Sequence, residues 1–321
     1  MANKFGRNYQ LSVEKLDGTF AQFSLPYTME FSIQRTDWGS QNTAEIRIHN
    51  LNLQTRGQLR KDEWDVSYLK YIQLYAGYGP SNLPMVFKGN ILVAESERES
   101  VDFITTLRGI DNGGFSTTAY LNGSQFQFGE GTPFLNICMT IANSLVETYG
   151  ITMGAINTAG ITGVLNKEKA FVGSALKTLN DITNGGWFID SGRLNYLTAN
   201  DYIIGSAVTQ INSDTGLLGT PRVQNTYVYV DVLFEPNIVV GQQITLVSTE
   251  STSSKHSISG GPNSSSTQAN TNLFNSNING QYRVTSVSHK GIISEAINGQ
   301  CVTTVGMLKF IGGSNPVVSQ T

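Results

Sequence analysis

Charge is scarce in this chain. Lys, Arg, Asp and Glu together make up 14% of its 321 residues, well under the ~25% usual for globular domains. The formal net charge is -3 and the sequence pI about 5.7. No strong field therefore draws the protein toward nucleic acid or an anionic lipid surface. Histidine is limited to His49, His256 and His289. None has another ligand type at metal spacing, whereas a metal site needs three or four clustered ligands. The two cysteines, Cys138 and Cys301, have neither CxxC spacing nor a histidine neighbour. That favours two buried free thiols over a disulfide and fits folding in a reducing cytoplasm. No apolar run reaches the ~18 residues of a spanning helix, so no membrane insertion is expected. "MANKFGRNYQLSVEK" carries no apolar core of signal-peptide length.

Glycine is plentiful, at 33 residues, and the polar character comes from Asn, Gln, Ser and Thr. Such surface is cheaper to dehydrate than charged surface. A protein largely covered by partners and a loop-rich β protein both fit this composition.

Hydrophobic periodicity divides the chain into three. In "AEIRIH", Ala44, Ile46 and Ile48 alternate with Glu45, Arg47 and His49, the period-two pattern of a half-buried strand. "YIQLYAGYG", "MVFKGNILVAESERE" and "VDFITTLRGID" continue it. "LQTRGQLRKD" instead has helix spacing at Leu51, Thr55 and Leu59, with Asn50 or Asn52 as N-cap. "DNGG" at Asp111 to Gly114 signals a turn. Residues 1–118 thus read as one mostly β domain. In the middle, Thr132 and Pro133 open a helix with Phe134, Ile137, Ile141 and Leu145 on one face, and Gly150 closes it. A second helix carries Val172, Leu176, Leu179 and Ile182. "WFIDSGRLNYL" is a hairpin about Ser191-Gly192. Residues 119–205 read as a compact α/β insert. From 206 to 321 strands return, with Val228, Val230, Val232 and Phe234 facing inward. The Ser/Asn-rich stretch 248–280 has too few apolar residues to offset its ordering entropy and reads as a mobile loop. The fold class expected is α+β, mostly β.

Catalytic signatures are hard to find. There is no GxSxG and no histidine placed to activate a serine. "GEGTPF" at Gly129 to Phe134 resembles a phosphate cradle, but it lacks the GK[ST] ending and Pro133 removes a donor. Glu95, Glu97, Glu99 and Asp102 could supply a glycosidase pair. Their surroundings are hydrophilic on every side, which favours a solvated hairpin tip over a raised-pKa acid. Tyr71, Tyr75, Tyr78, Tyr227 and Tyr229 could stack sugars, though at strand spacing they read more simply as packing or interface residues. No catalytic, cofactor or metal residue is assigned, and the protein is expected not to be an enzyme.

The order of the parts is more informative. "NTAEIRIHNLNLQTRGQLRK", then "PNIVVGQQITLVS", a variable loop and "NGQYRVTSVSHKGIISEAINGQCVTTVGM", in a barrel–insert–barrel arrangement over nearly the whole chain, resembles the baseplate hub proteins of contractile-tailed bacteriophages. The resemblance implies two tail-tube-like β-barrel domains flanking the insert. It also implies a homotrimer whose six barrels form a near-sixfold ring between the sixfold tail tube and a trimeric spike. Other baseplate proteins would be partners, and DNA would pass through the channel without specific binding. The virion baseplate would be the location, after assembly in the host cytoplasm. With no glycine-periodic repeat after "KFIGGSNPVVSQT", the spike is expected to be a separate protein. Glu45, Arg47, His49, Arg56 and Arg60 are the interface or channel candidates, and 248–280 a segment that orders on a partner. The rival readings are a carbohydrate-binding tail or fibre module and, in the enzyme class, a wall-degrading hydrolase.

Overall fold

The structure, a computed structural model, describes residues 6–38, 42–62, 70–80, 82–111, 120–204, 208–248, 278–296, 299–310 and 314–318. Residues 112–114 of the turn signal, 249–277 of the Ser/Asn-rich stretch and His256 lie outside the described residues.

The first third is built from β1 (Arg7–Glu14), β2 (Phe20–Phe23), β3 (Met29–Thr36), β4 (Thr43–His49), α1 (Leu53–Leu59), β5 (Lys70–Tyr78), β6 (Met85–Glu99) and β7 (Asp102–Asp111). Alternation sets the two faces of β4. Ala44, Ile46 and Ile48 are buried, and Glu45, Arg47 and His49 point outward. The inward set joins Leu11, Val13, Ile33, Ile72, Leu74 and Ile91 in one core, each such side chain contributing roughly 1.5–3 kcal/mol on burial. Asn52 is the N-cap of α1, its Oδ1 accepting from the Thr55 N–H at 2.8 Å. Asn50 has a different task. It turns the chain at φ 59 and bonds Phe103 and Asp102 through its side chain.

The middle holds β8 (Tyr120–Leu121), β9 (Gln127–Phe128), α2 (Phe134–Tyr149), β10 (Thr152–Ile156), β11 (Lys169–Ala170), β12 (Gly173–Ser174), α3 (Ala175–Thr183), β13 (Trp187–Asp190), β14 (Arg193–Tyr196) and β15 (Asp201–Ile203). A second core forms around Trp187, with Ile137, Ile141 and Leu145 of α2 and Leu176 and Leu179 of α3. Gly150 ends α2 in the left-handed region, its N–H donating to Val146 O. Two details depart from the sequence reading. Pro133, not Thr132, is the N-cap of α2, because the Thr132 hydroxyl donates to Gly129 O. Val172 lies before α3 and is 59% exposed, because Gly173 at φ +113 breaks the helical path and Ser174 caps the helix after it.

The last third contains β16 (Gln210–Ile211), β17 (Leu217–Gln224), β18 (Tyr227–Leu233), β19 (Gln243–Leu246), β20 (Gly280–Ile293), β21 (Cys301–Lys309) and β22 (Asn315–Val317). Val228, Val230 and Val232 enter a third core with Ile244, Val284 and Met307. Phe234 is also buried, but it crosses into the first core against Phe31, with ring centroids 5.5 Å apart.

The fold is mostly β, as expected, yet strand pairing closes no barrel among the described residues. One 13-stranded sheet runs β17-β18-β21-β20-β3-β4-β7-β6-β5-β1-β2, with β19 on β20 and β16 on β19. The join lies in β20, which is long enough to serve both ends of the chain. Gly280 to Arg283 pair with β19, and Ser286 to Ile293 pair with β3. A register shift between Val284 and Ser286 separates the two uses.

Candidate functional site

The outward face of β3, β4, β6 and β7 carries an interlocked set of charges. Cross-strand register aligns Ser32, Glu45 and Arg108 in one row and Glu30, Arg47 and Thr106 in the next. Arg108 pairs with Glu45 and with Glu95, each at 3.2 Å. Arg47 pairs with Glu30 at 3.2 Å and with Glu99, while His49 Nε2 lies 2.9 Å from the same Glu30. Glu45, Arg47 and His49 are thus brought together. Arg56 reaches this region by stacking on Phe103, 3.9 Å from the ring centroid. Arg60, the C-cap one turn further on, is exposed and 3.4 Å from Asp62. Exposed pairs of this kind contribute ~0–1 kcal/mol each, so the lattice shapes the surface field more than it stabilises the fold. Glu95, Glu97 and Glu99 lie in water beside arginines, not in the apolar setting a proton-donating carboxyl requires.

A second polar cluster is buried, and sequence reasoning missed it. Arg35 grips Asp190 with two of its three guanidinium nitrogens, Nε to Oδ1 at 2.8 Å and Nη2 to Oδ2 at 2.5 Å. Burial opposes the guanidinium's charge, and Asp190 together with Asp111 more than offsets that. Asn42 donates to Asp190 Oδ1 at 3.0 Å and to Ile189 O at 3.1 Å, and it accepts from the Thr36 N–H. Asp111 accepts the Ser191 and Gly192 N–H groups at 2.6 and 2.8 Å. Those residues form the β13–β14 turn, at φ 53 and 73, as two-residue hairpins favour. The cluster clamps the insert's hairpin onto the main sheet. His289 lies nearby with Nδ1 2.9 Å from Thr303 Oγ1. Burial and Arg35 push it down to about 3, so it stays neutral.

A third feature is a cleft of about 710 Å³ between α3, the segment after β14 and the main sheet. Asp37 and Arg283 form its floor, with Nη2 3.1 Å from Oδ2. Burial outweighs Arg283 and raises the Asp37 carboxyl from 3.8 to about 6. A raised acid favours the folded state below the unfolded value and loses that advantage as pH rises through the folded one. From pH 4 to pH 7 the wild type should therefore lose about 2–3 kcal/mol relative to Asp37→Asn. Urea titrations across that range test this, and parallel pH profiles would refute it.

The remaining candidates resolve simply. Cys138 and Cys301 are free and buried, and burial pushes the Cys138 thiol up to about 12. In "GEGTPF" the Gly131 and Phe134 N–H groups donate to Leu165 and Gly163 carbonyls, leaving them committed to the loop. Tyr71 and Tyr75 lie on β5, Tyr227 and Tyr229 on β18, seven strands away in the sheet. They form no common platform. Among the described residues no group of three His, Cys, Asp or Glu side chains is placed to hold a metal. No described helix is long and apolar enough to cross a membrane.

Residues 15–253 match the family described as baseplate hub gp41. The chain belongs to the baseplate hub gp41 family. It is a structural component of a phage tail baseplate. Two solved structures share the hub protein's fold at 10% identity. One is the prophage MuSo2 43 kDa tail protein from Shewanella oneidensis, with a TM-score of 0.58 over 94% of this chain and 98% of the other. The other is the tail protein from Neisseria meningitidis MC58, with a TM-score of 0.53 over 95% and 97%. No curated protein sequence matches the hub protein.

Proposed function

We propose that the hub protein forms a homotrimeric, near-sixfold ring that joins the sixfold tail tube to a trimeric spike and surrounds the DNA channel. Three parts divide the work: 1–118 and 206–321 are the two tube-like units, and 119–205 is the insert, available to other baseplate proteins. The observation that carries this reading is the continuous sheet. It holds one strand group around the first core and another around the third, so three chains offer six such groups. Its terminal strands β2 and β17 each have a hydrogen-bonded neighbour on one side only among the described residues. Heterologous contacts between such edges close a ring when they follow a rotation axis, and closure removes an aggregation hazard.

The charge lattice with Glu45, Arg47 and His49 faces the channel in this reading, and Arg56 and Arg60 sit towards a neighbouring subunit. Arginines already engaged by carboxylates give phosphates little to hold, so DNA passes without specific binding. Assembly takes place in the host cytoplasm, and the working location is the virion baseplate. Light scattering and electron microscopy of the purified protein, alone and mixed with its spike, provide the test. A ring of three 34.9 kDa chains is expected. A monomer at high concentration in both samples would sink the reading, and specific binding on a glycan array would favour a carbohydrate module.

A further inference from the structure

A second cleft, of about 460 Å³, opens where the turn of the β13–β14 hairpin meets the main sheet. Its lining carries three cations, Arg35, Lys88 and Arg193, against one carboxylate, Asp190. Arg35 is 4% exposed and grips Asp190 side-on through Nε and Nη2. That grip leaves Nη1 pointing away from the carboxylate, without a hydrogen bond. Nη1 is not sealed in the interior as the Arg283 and His289 nitrogens are, so it meets the cleft that Arg35 lines. Lys88 is half-buried on β6, in register with Gln73 of β5. Arg193 is exposed at the start of β14. Neither side chain has an ion-pair or hydrogen-bond partner among the described residues.

The outward charge lattice is the opposite case, since Arg47 and Arg108 are each matched there by two glutamates. In the cleft, Asp190 is already engaged by Arg35 and Asn42, and Lys88 and Arg193 remain as surplus. α2 ends at Gly150 on the same rim. Its negative end, roughly half a charge, reduces the surplus without cancelling it. A surplus of cations in a chain of net charge -3 calls for an anion. A guanidinium nitrogen at the floor, with an ammonium and a second guanidinium beside it, offers donors only. The matching group is an oxyanion. The floor is reached only through the cleft, which favours a slender group on a flexible stem. A Glu or Asp side chain has that form, whereas a DNA phosphate lies on the outside of a stiff rod. Met85 and Val239 give the walls an apolar part for the stem and its neighbours. The volume is within the usual range for ligand sites.

We propose that this cleft docks an acidic segment of a second baseplate protein, with one carboxylate reaching Arg35 Nη1 and Lys88 and Arg193 holding its flanks. The proposal rests on the reading of the hub as a protein that works by holding other proteins. It does not depend on the ring, because none of the cleft residues belongs to the terminal strands and a monomeric hub would still bind. Particle mass tests the ring and peptide binding tests the cleft, so the two fail separately.

The probes are a capped Glu-rich hexapeptide, its Gln counterpart and inorganic phosphate. Each is titrated calorimetrically into the full-length protein and into Lys88→Gln, Arg193→Gln and the double variant. Both side chains reach solvent, so these changes leave the fold intact. The Glu peptide should bind, more weakly as NaCl is added, and the Gln peptide should not. Affinity should fall several-fold in either variant and about tenfold or more in the double. Bound peptide should also slow acetylation of Lys88, read by mass spectrometry, and leave the exposed Lys290 unaffected. No binding of the Glu peptide at millimolar concentration overturns the proposal, as does equal binding to the variants or equal protection of both lysines. If phosphate alone protects Lys88, the cleft holds a free inorganic anion and the proposal is wrong.

Discussion

Arg35→Met should lower the free energy of unfolding by about 3–5 kcal/mol, the usual penalty for stranding one partner of a buried ion pair. Arg35 is 4% exposed and makes two hydrogen bonds to Asp190. Without it, Asp190 keeps only weaker neutral donors such as Asn42. A lysine should not rescue the site, since an ammonium cannot reproduce the planar, two-pronged contact. Arg35→Met combined with Asp190→Leu should recover part of the loss by removing both charges. Urea unfolding measures each step, with an unchanged m-value showing that stability alone moved. A loss below about 1 kcal/mol for Arg35→Met would mean that the clamp is no stronger than a surface pair.

Lys70→Met should cost about 3–5 kcal/mol, through three carbonyls that lose a charged donor. Lys70 is 1% exposed, and its Nζ donates to Gln58, Leu59 and Arg60 carbonyls at 3.1, 3.0 and 3.0 Å. Burial pulls the ammonium down to about 8, so the site bears a real desolvation penalty that the carbonyls offset. These are the last acceptors of α1, a helix of seven residues. A helix that short does not hold itself together, and its end carbonyls need outside donors. Methionine matches the length of the lysine stem and keeps the packing, so the lost bonds dominate. The damage should be local as well as global. Trypsin should cut faster at Arg56 and Arg60 in the variant than in wild type at matched global stability. Unchanged cleavage would show that Leu59, fully buried beside it, holds α1 in place unaided.

How much of this was legible beforehand depended on the range of the interaction. The strand at Ala44, Ile46 and Ile48, the stop at Gly150 and the hairpin at Ser191-Gly192 are local features. Each follows from backbone periodicity or from a turn's demand for positive φ, and each can be seen in a few consecutive residues. The α3 start was misplaced for the same local reason, since Val172 fits the apolar period and only the φ of Gly173 shows that the helix has not begun. Among the site residues, Glu45, Arg47 and His49 could be placed on one strand face, but not matched to Glu30, Glu99 and Arg108.

By itself the sequence determined the mostly β character, the helical punctuation of the insert and an order of parts that resembles a baseplate hub. Tertiary structure alone decided that β20 joins β3 into one sheet, that Arg35 meets Asp190 155 positions away, and that Asp37 meets Arg283 246 positions away. The physical reason is burial. An arginine in a polar stretch reads as a solvated surface charge until the chain closes over it. Only then do desolvation and a specific carboxylate turn it into a clamp in one place and the floor of a cleft in the other.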